Sequence, residues 1–308
     1  MTCTTTRRID AQLEAAEARW GKQHCRTITT VADDTGDLND TYFDLNLIGY
    51  DFAEDLYYVW LNVNSAGTDP AVSGKTGIEV TAATDAPAAT VAAAIKTAID
   101  AADVPAIVSV SGGVVTVTNQ VQGAITDEAD SGSTGFTFEV GTVGLSVELG
   151  ASSGPIEVSY NTETVPIVSN QTASLNAGEI LTGSSVEVTM SLIEITKERY
   201  DTLVGEVIGD SITPASGTKV SGVGESRLFS SLDLLSGQLI LHPIRLADSD
   251  KSADVMIWRC APKVDAQSFD GSAISELSVS FTAYLDRTYD TSINLLARGD
   301  WTQKGLTA

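Results

Sequence analysis

The sequence has little positive charge for its length. Its 308 residues include 18 Lys and Arg against 41 Asp and Glu, so the formal net charge is −23. Lys and Arg are the residues that displace counterions from a phosphate backbone, and they form no stripe or cluster along this chain. We therefore expect no tight or specific binding to nucleic acid.

Cysteines and long apolar runs are also scarce. Cys3, Cys25 and Cys260 form no close pair, so neither a disulfide framework nor a zinc site is indicated, and we expect reduced thiols. The sequence begins with polar residues and contains no apolar run of about 20 residues. We therefore expect neither a signal peptide nor a membrane-spanning helix.

The residues that dominate instead are small and β-branched, which is typical of short strands joined by tight turns. Hydrophobic residues make up 43% of the chain and charged residues 19%, which indicates a folded chain rather than a disordered one. Strand patterns outnumber helical ones, so we predict a mainly β fold with few helices, of the α+β class. The length suffices for two domains, each with its own core.

The first 24 residues carry a helical pattern. Apolar residues that share one face of a helix recur there, namely Ile9, Leu13, Ala16 and Trp20. Gly21 follows as a natural C-terminal stop. We therefore predict that residues 1–24 form an N-terminal arm with one short helix.

The rest of the chain divides into two predicted domains. Residues 25–146 combine strand patterns with one Ala-rich helical pattern that follows Asp85, a residue suited to an N-cap. This combination predicts a small α+β accessory domain. Residues 147–308 are mostly strands, with one helix that Thr196 caps and Gly209 ends, and they predict a second, β domain.

No set of residues supplies a nucleophile, a base and oxyanion donors together, so we expect no enzyme, cofactor or metal site. Ser73–Thr76 ends like a phosphate-binding loop, but a strand follows it instead of a helix, which predicts a turn. His242 is expected to be an edge-strand residue with a satisfied ring, although a triad role stays open. The acidic runs at Asp33 and Asp127 predict solvated loops, with a weak calcium site as the alternative.

Two strand patterns in the second domain have one apolar and one polar face. Val186, Val188 and Met190 alternate with Ser, Thr and Glu, and the pattern around Phe281 is similar. One interpretation is an antiparallel sheet with one face in water. The other is a wall that faces a water-filled channel, as in a large barrel.

Several segments of the second domain follow one another in a characteristic order of strand, long loop, strand, helix and closing strands. They are LGASSGPIEVSY, VEVTMSLIEITKERYDTLVG, LILHPIRLADSDKSADVMIWRCAP, ISELSVSFTAYLD and LLARGDW. In this order, residues 149–300 resemble the tail tube (major tail) proteins of long-tailed bacteriophages. Residues 25–143 are similar to a module that recurs in phage structural proteins, through segments such as YYVWLNVNSAGTDPAVSGKTGIEV and STGFTFEV.

The resemblance implies a tail-tube-type β-sandwich or barrel domain over residues 147–308 and a structural role in the virion. Proteins of that family form six-membered rings that stack into a hollow tube, through which DNA passes without specific binding. The implied partners are further copies of the chain and other tail proteins. The implied location is the phage tail, with the host cytoplasm during assembly. The accessory domain is expected to face outward, because it would otherwise block the channel.

The resemblance also implies roles for two sets of residues. A loop over Ser169–Ser184 is expected to bridge successive rings, with the candidate residues Asn170, Gln171, Asn176 and Glu179. The candidate lumen-facing residues are Glu157, Glu163, Glu187, Thr189, Ser191, Glu276, Ser278 and Ser280. An acidic lumen of this kind would repel the DNA backbone and let it slide.

Two alternatives stay open within the class of structural and binding proteins. One is a head-decoration or baseplate protein that shares the accessory module. The other is a receptor- or glycan-binding tail component, in which Tyr57, Tyr58 and Trp60 would line a sugar groove. A simpler interpretation places those three aromatic residues in the core and rim of a strand.

Overall fold

The computed structural model describes residues 16–126, 130–168, 176–205, 209–212, 220–223, 231–268, 275–286 and 295–302. Within these residues the protein is mainly β with few helices, as predicted. The sheets that they form do not close into a barrel. No helix in this part of the chain has the length and apolar character needed to cross a membrane.

The strands of the N-terminal half are β1 (Ala16–Thr29), β2 (Tyr42–Ile48), β3 (Glu54–Val63), β4 (Thr76–Ala82), β5 (Ala106–Ser111), β6 (Val114–Gln122), β7 (Thr137–Thr142) and β8 (Leu145–Glu148). The helix α1 (Ala88–Ala101) lies between β4 and β5. β2, β3 and β4 form a small sheet of their own, in which β3 and β4 are parallel. The Gly112–Gly113 pair is a sequence signal for a two-residue hairpin, and β5 and β6 form that hairpin, with Gly112 in the left-handed region.

The strands of the C-terminal half are β9 (Glu157–Val168), β10 (Asn176–Leu192), β11 (Gly209–Ile212), β12 (Val220–Val223), β13 (Gly237–Pro243), β14 (Val255–Gln267), β15 (Leu277–Ala283) and β16 (Leu296–Arg298). A short helix α2 (Lys197–Tyr200) continues into a π-helical turn over Asp201–Gly205, and a 3₁₀ turn spans Leu232–Leu235. β11 and β12 pair only with each other among the described strands.

β1 is shared by both halves of the protein. Its C-terminal part pairs with β6 on one side and β7 on the other, and its N-terminal part pairs with β13 and β8. β13 pairs with residues 16–21 of β1 and β6 with residues 23–29, and the register of the β6 pairing shifts between Gln23 and Cys25. One continuous strand therefore joins the N-terminal half to the second, C-terminal half in a single large sheet.

The predicted N-terminal helix is wrong from Ala16 onward, because β1 begins there and runs past the predicted boundary after residue 24. Ala18 and Trp20 are buried, whereas Glu17 and Arg19 are half-buried, which is the two-residue period of a strand. A short helical pattern is weak by itself, and pairing on both sides of the strand outweighs it. Residues 1–15 lie outside the described residues.

The two predicted helices exist with different ends. α1 has Pro87 as its N-cap residue, whereas Asp85 accepts a hydrogen bond from the Thr35 amide, so Asp85 is not the cap. Thr196 does cap α2, because its hydroxyl oxygen accepts from the Arg199 amide at 3.2 Å. The helical conformation is described as far as Gly205, residues 206–208 lie outside the described residues, and β11 begins at Gly209.

Three hydrophobic clusters fill the structure. The first lies between β2–β4, α1 and the β5–β6–β1 strands, around Phe43, Leu61 and Ile95. The second underlies β9, β10, β13, β14 and β15, around Trp20 and Phe281. A third cluster connects the two halves and contains Ile48, Val121, Ile240, Met256, Trp258, Ala297 and Trp301.

Glycines occupy the place where the two halves of β1 meet. A Cβ atom on Gly21 would overlap the carbonyl oxygen of Leu145, and one on Gly144 would overlap that of Gly123. A Cβ atom on Gly237 would in turn overlap the carbonyl oxygen of Gly21. The strands approach one another so closely here that any side chain would force them apart.

Gly21→Ala tests this close approach. We expect its free energy of unfolding to fall by about 1–3 kcal/mol or more, because the added methyl group meets backbone atoms that cannot rotate away. Gly154→Ala is the matched control, since a Cβ atom at Gly154 meets nothing within 4 Å. Chemical denaturation measures both variants, and equal stabilities would contradict the close packing at Gly21.

Tyr50 contacts the second half from the turn between β2 and β3. Its ring lies edge-on to Trp301 with the ring centroids 5.6 Å apart, and its hydroxyl group donates to Gln120 Oε1 at 2.8 Å. Burial, followed by the nearby charges of Asp103 and Asp300, raises the pKa of Tyr50 to about 12. Folding therefore favours the neutral phenol at this junction.

Tyr50→Phe should make stability less sensitive to alkaline pH. Because the pKa of Tyr50 in the folded state lies above its ordinary value of 10.0, its contribution is fully present below pH 10 and is lost as the pH rises through 12. Tyr57 and Tyr58 also have raised pKa values, so the variant removes only part of the slope. Denaturation at a series of pH values measures it, with Tyr160→Phe on the exposed β9 as the control. Parallel curves for wild type and Tyr50→Phe would contradict the prediction.

Candidate assembly surface

Four antiparallel strands, in the order β14, β15, β10 and β9, present one polar face. Thr189 of β10 lies opposite Glu157 of β9 and Ser280 of β15, and Ser280 lies opposite Lys263 of β14. Directly opposed residues point to the same side of a sheet. We call this side the polar face, and it consists of Glu157, Ser159, Asn161, Glu163, Ser185, Glu187, Thr189, Ser191, Ser278, Ser280, Thr282 and Lys263.

The other side of the same strands belongs to the hydrophobic core. Val188, Met190, Val279 and Phe281 alternate with the polar residues and are all buried in the second cluster. A slip of one residue would exchange the two faces, so burial of this side fixes the register of the polar face. The predicted two-sided strand pattern around Val186–Leu192 is therefore confirmed.

Most of the predicted lumen residues lie on this face. Glu157 and Glu163 are exposed, and Glu187, Thr189, Ser191 and Ser278 are half-buried, as the burial of each residue shows. Ser280 shares the face by register but is only 5% exposed, so it is covered and does not present its hydroxyl group to solvent. Glu276 precedes β15, where its backbone forms hydrogen bonds with Ser268.

Lys263 is a charged residue of the polar face that sequence analysis missed. The strand pattern of β14 gave no sign of it, because its neighbours Ala261 and Pro262 are buried and break the simple alternation. Lys263 Nζ lies 3.7 Å from Asp265 Oδ1, and both side chains are largely exposed. This pair adds one charge of each sign, so Glu157, Glu163 and Glu187 keep the face acidic.

The segment predicted as a ring-bridging loop is mostly a strand. β10 begins at Asn176 and pairs with β9 along its length, so the loop predicted over Ser169–Ser184 is wrong from Asn176 onward. Asn176 and Glu179 belong to β10, whereas Asn170 and Gln171 lie outside the described residues. The register of this pairing shifts between Asn176 and Glu179 and again between Leu181 and Gly183. These irregularities let the polar, Gly-containing sequence pair as a strand.

β9 and β10 together extend beyond the sheet as a long arm with exposed apolar side chains. We call the residues 160–168 and 176–184 the hairpin arm. Its exposed apolar residues, which are 45–62% accessible, are Tyr160, Val165, Ile167, Ile180 and Leu181. Val165 lies opposite Ile180, so both point to the side of the polar face. In the sequence, this patch corresponds to VPIV, which belongs to a predicted strand, and to EIL, which lies inside the loop predicted over Ser169–Ser184.

Several residues that could have bound a phosphate group or a metal ion have structural roles instead. Ser73–Thr76 forms a turn that leads into β4, and Lys75 Nζ pairs with Asp44 Oδ1 at 2.5 Å, so the predicted turn is confirmed. In the acidic run that begins at Asp33, Asp34 and Asp37 are exposed as predicted. Asp33 itself is buried and accepts amide hydrogen bonds, among them one from Leu38, so the prediction of a solvated side chain is wrong for this residue. Within the described residues, no group of three or more His, Cys, Asp or Glu could hold a metal ion.

His242 differs from its prediction. β13 pairs with β1 and β14 on its two sides, so His242 is not on an edge strand. Its Nδ1 lies 2.6 Å from Oδ1 of the fully buried Asp254, whose Oδ2 accepts from Trp301 Nε1 at 2.8 Å. Only one of the two ring nitrogens, Nδ1, has a hydrogen-bond partner, because Nε2 is buried without one.

No protein-family model matches the chain, and no curated protein matches it significantly. The resemblance to tail tube proteins therefore stays a prediction. The fold and the surface are what the described residues themselves establish: one sheet with a polar face, and an arm with exposed apolar side chains.

Met190→Ala and Thr189→Ala test the two faces with neighbouring residues. Met190 is buried in the second cluster, so its truncation should lower the free energy of unfolding by about 2–5 kcal/mol. Thr189 lies on the polar face, so its truncation should change stability by about 0.5 kcal/mol or less. Urea denaturation measures both values, and a larger loss for Thr189→Ala would contradict the assignment of the faces.

Proposed function

We propose that the chain is a structural protein of a phage virion, a tail tube protein whose copies form six-membered rings that stack around a DNA channel. In this role the second half builds the tube, and the half that contains α1 is an accessory domain on its outside. In this role the chain is incorporated into the tail by self-assembly, and it binds further copies of itself and other tail proteins.

The observation that carries this proposal is the hairpin arm. Five apolar side chains are exposed on one projecting two-stranded element, although isolated hairpins are marginally stable in water. Clustered exposed apolar residues of this kind mark surfaces that another chain covers. An arm that reaches away from its own core is suited to contact a neighbouring copy.

The open edge of β9 supports the same conclusion. Among the described strands β9 pairs only with β10, so its outer backbone groups have no strand partner. A free edge of twelve residues is an aggregation hazard for a lone chain. A ring in which copies lie side by side would pair or cover this edge.

The polar face is suited to line the channel. It presents hydroxyl groups and the carboxylates of Glu157, Glu163 and Glu187, and the Lys263–Asp265 pair contributes no net charge. DNA phosphates near this face would meet repulsion instead of counterion-releasing contacts. The DNA would therefore pass along the face without being held.

Burial of two aromatic residues disfavours the glycan-binding alternative. Tyr58 and Trp60 of β3 are both buried, and the Tyr58 hydroxyl group donates to Asp69 Oδ1 at 2.5 Å. Neither ring is free to stack on a sugar. Only Tyr57 of the three candidate residues is partly exposed.

Leu181→Glu tests the role of the hairpin arm in assembly. Leu181 is 62% exposed, so the substitution should leave the unfolding temperature of the monomer nearly unchanged. A carboxylate buried between two copies would carry a large desolvation cost, so we expect rings and tubes to disappear. Negative-stain electron microscopy and light scattering measure assembly.

Thr81→Glu is the matched control, because it adds the same charge at an exposed polar position of a strand, β4, that lies outside the hairpin arm. We expect this variant to assemble like wild type. Unchanged assembly of Leu181→Glu would contradict the role of the arm. Failure of the wild-type protein to form six-fold rings or tubes under any condition would contradict the proposed function, and binding to capsid shells would favour the head-decoration alternative.

A further inference from the structure

A pocket opens where the turn between β2 and β3 meets the second half of the protein. Its cavity volume is about 50 Å³. Glu17 lies opposite His242 and Arg19 lies opposite Ile240 in the pairing of β1 with β13, so these side chains share the side that forms one wall. The lining residues are Glu17, Arg19, Asp51, Phe52, Ile240, His242, Asp248 and Lys251.

Lys251 is the unusual member of this pocket. It is only 9% exposed, and no carboxylate of the described residues lies within 4.0 Å of its Nζ atom. Its nearest favourable contact is the ring of Phe52, whose centroid lies 5.3 Å from Nζ. Nζ is not one of the fully buried nitrogen atoms that lack a hydrogen-bond partner, so the ammonium group reaches the pocket while its aliphatic stem is buried. A cation–π contact offsets only part of the desolvation of such a group.

A second cation lies on the same aromatic ring. The guanidinium carbon of Arg19 is 4.8 Å from the Phe52 centroid, and its distance to Glu148 is a long 3.7 Å. His242 adds a ring that Asp254 holds in place, with Nε2 lacking a partner. The pocket therefore has two nitrogen atoms without a hydrogen-bond or ion-pair partner among the described residues, Lys251 Nζ and His242 Nε2. Arg19, which keeps its long contact to Glu148, lies on the same aromatic ring as Lys251.

Two of the three carboxylates that line the pocket are exposed, and the third, that of Glu17, is half-buried. Asp51 and Asp248 are exposed, and Asp51 Oδ1 already accepts a hydrogen bond from the Ala53 amide. Water screens these outer charges, whereas the charge of the buried Lys251 is screened much less. This arrangement admits a small anion to the interior and repels a long polyanion such as DNA from the entrance.

We propose that this pocket binds a small oxyanion, of the phosphate or carboxylate class, whose oxygens accept from Lys251 Nζ with Arg19 beside them. The ligand supplies the acceptor that the Lys251 ammonium group lacks within the described residues. Binding at this place also fixes the Phe52 turn against β1 and β13, because the same cations contact both the ligand and the Phe52 ring. The site is independent of the proposed tube assembly.

Calorimetric titration of the full-length protein tests the site with two probes, inorganic phosphate and acetate, at ionic strength held constant with chloride. We expect saturable binding of one probe per chain, and the preferred probe distinguishes a phosphate-class ligand from a carboxylate. Lys251→Met keeps the aliphatic stem and should weaken binding by about tenfold or more, since charge-assisted hydrogen bonds are the strong ones. Lys263→Met, which removes an exposed lysine of the polar face, should bind like wild type.

Arg19→Gln is the second variant, and it replaces Lys251→Met in the test if that variant does not fold. It should also weaken the binding of the probe. Where both variants can be measured, its effect should be smaller than that of Lys251→Met. Absence of saturable binding of both probes to wild type would overturn the proposal. Unchanged affinity in Lys251→Met, or in Arg19→Gln where that variant replaces it, would overturn it as well. Because the titration uses unassembled protein, its result does not depend on whether rings or tubes form.

Discussion

The structure depends on the close approach of backbones where β1 passes from one half of the protein to the other. Gly21, Gly144 and Gly237 leave no room for a side chain at this crossing. The absence of side chains lets β6, β7, β8 and β13 all pair with a single strand. Because the two halves share β1, neither can move as an independent domain without breaking its backbone hydrogen bonds.

This shared strand sets what each half can do. The N-terminal half buries Phe43, Phe136 and one face of α1 in its own core, and it contacts the second half through Tyr50 and Phe52. In the second half, one face of β9, β10, β14 and β15 packs against the hydrophobic core, and the other face is polar. The hairpin arm continues two of these strands beyond the core, where its apolar side chains have no cover from the described chain.

Sequence reasoning found the features that depend on local periodicity. The alternation around Met190 gave the polar face, and the Gly112–Gly113 pair gave its hairpin. It failed where tertiary contacts determine the secondary structure. Residues 16–24 have a helical pattern, but they form a strand because other strands pair with them on both sides. Ser280 has a polar pattern but is buried. The unpaired ammonium of Lys251 had no sequence signal, because its surroundings come from three separate segments.

The central functional claim is that the hairpin arm is covered by a second copy in the assembled protein. Hydrogen exchange followed by mass spectrometry, compared between the free and the assembled chain, tests it most directly. The account predicts that amides of residues 160–168 and 176–184 gain protection on assembly, whereas amides of α1 exchange alike in both states. Equal exchange of the arm in the free and assembled protein would contradict the account.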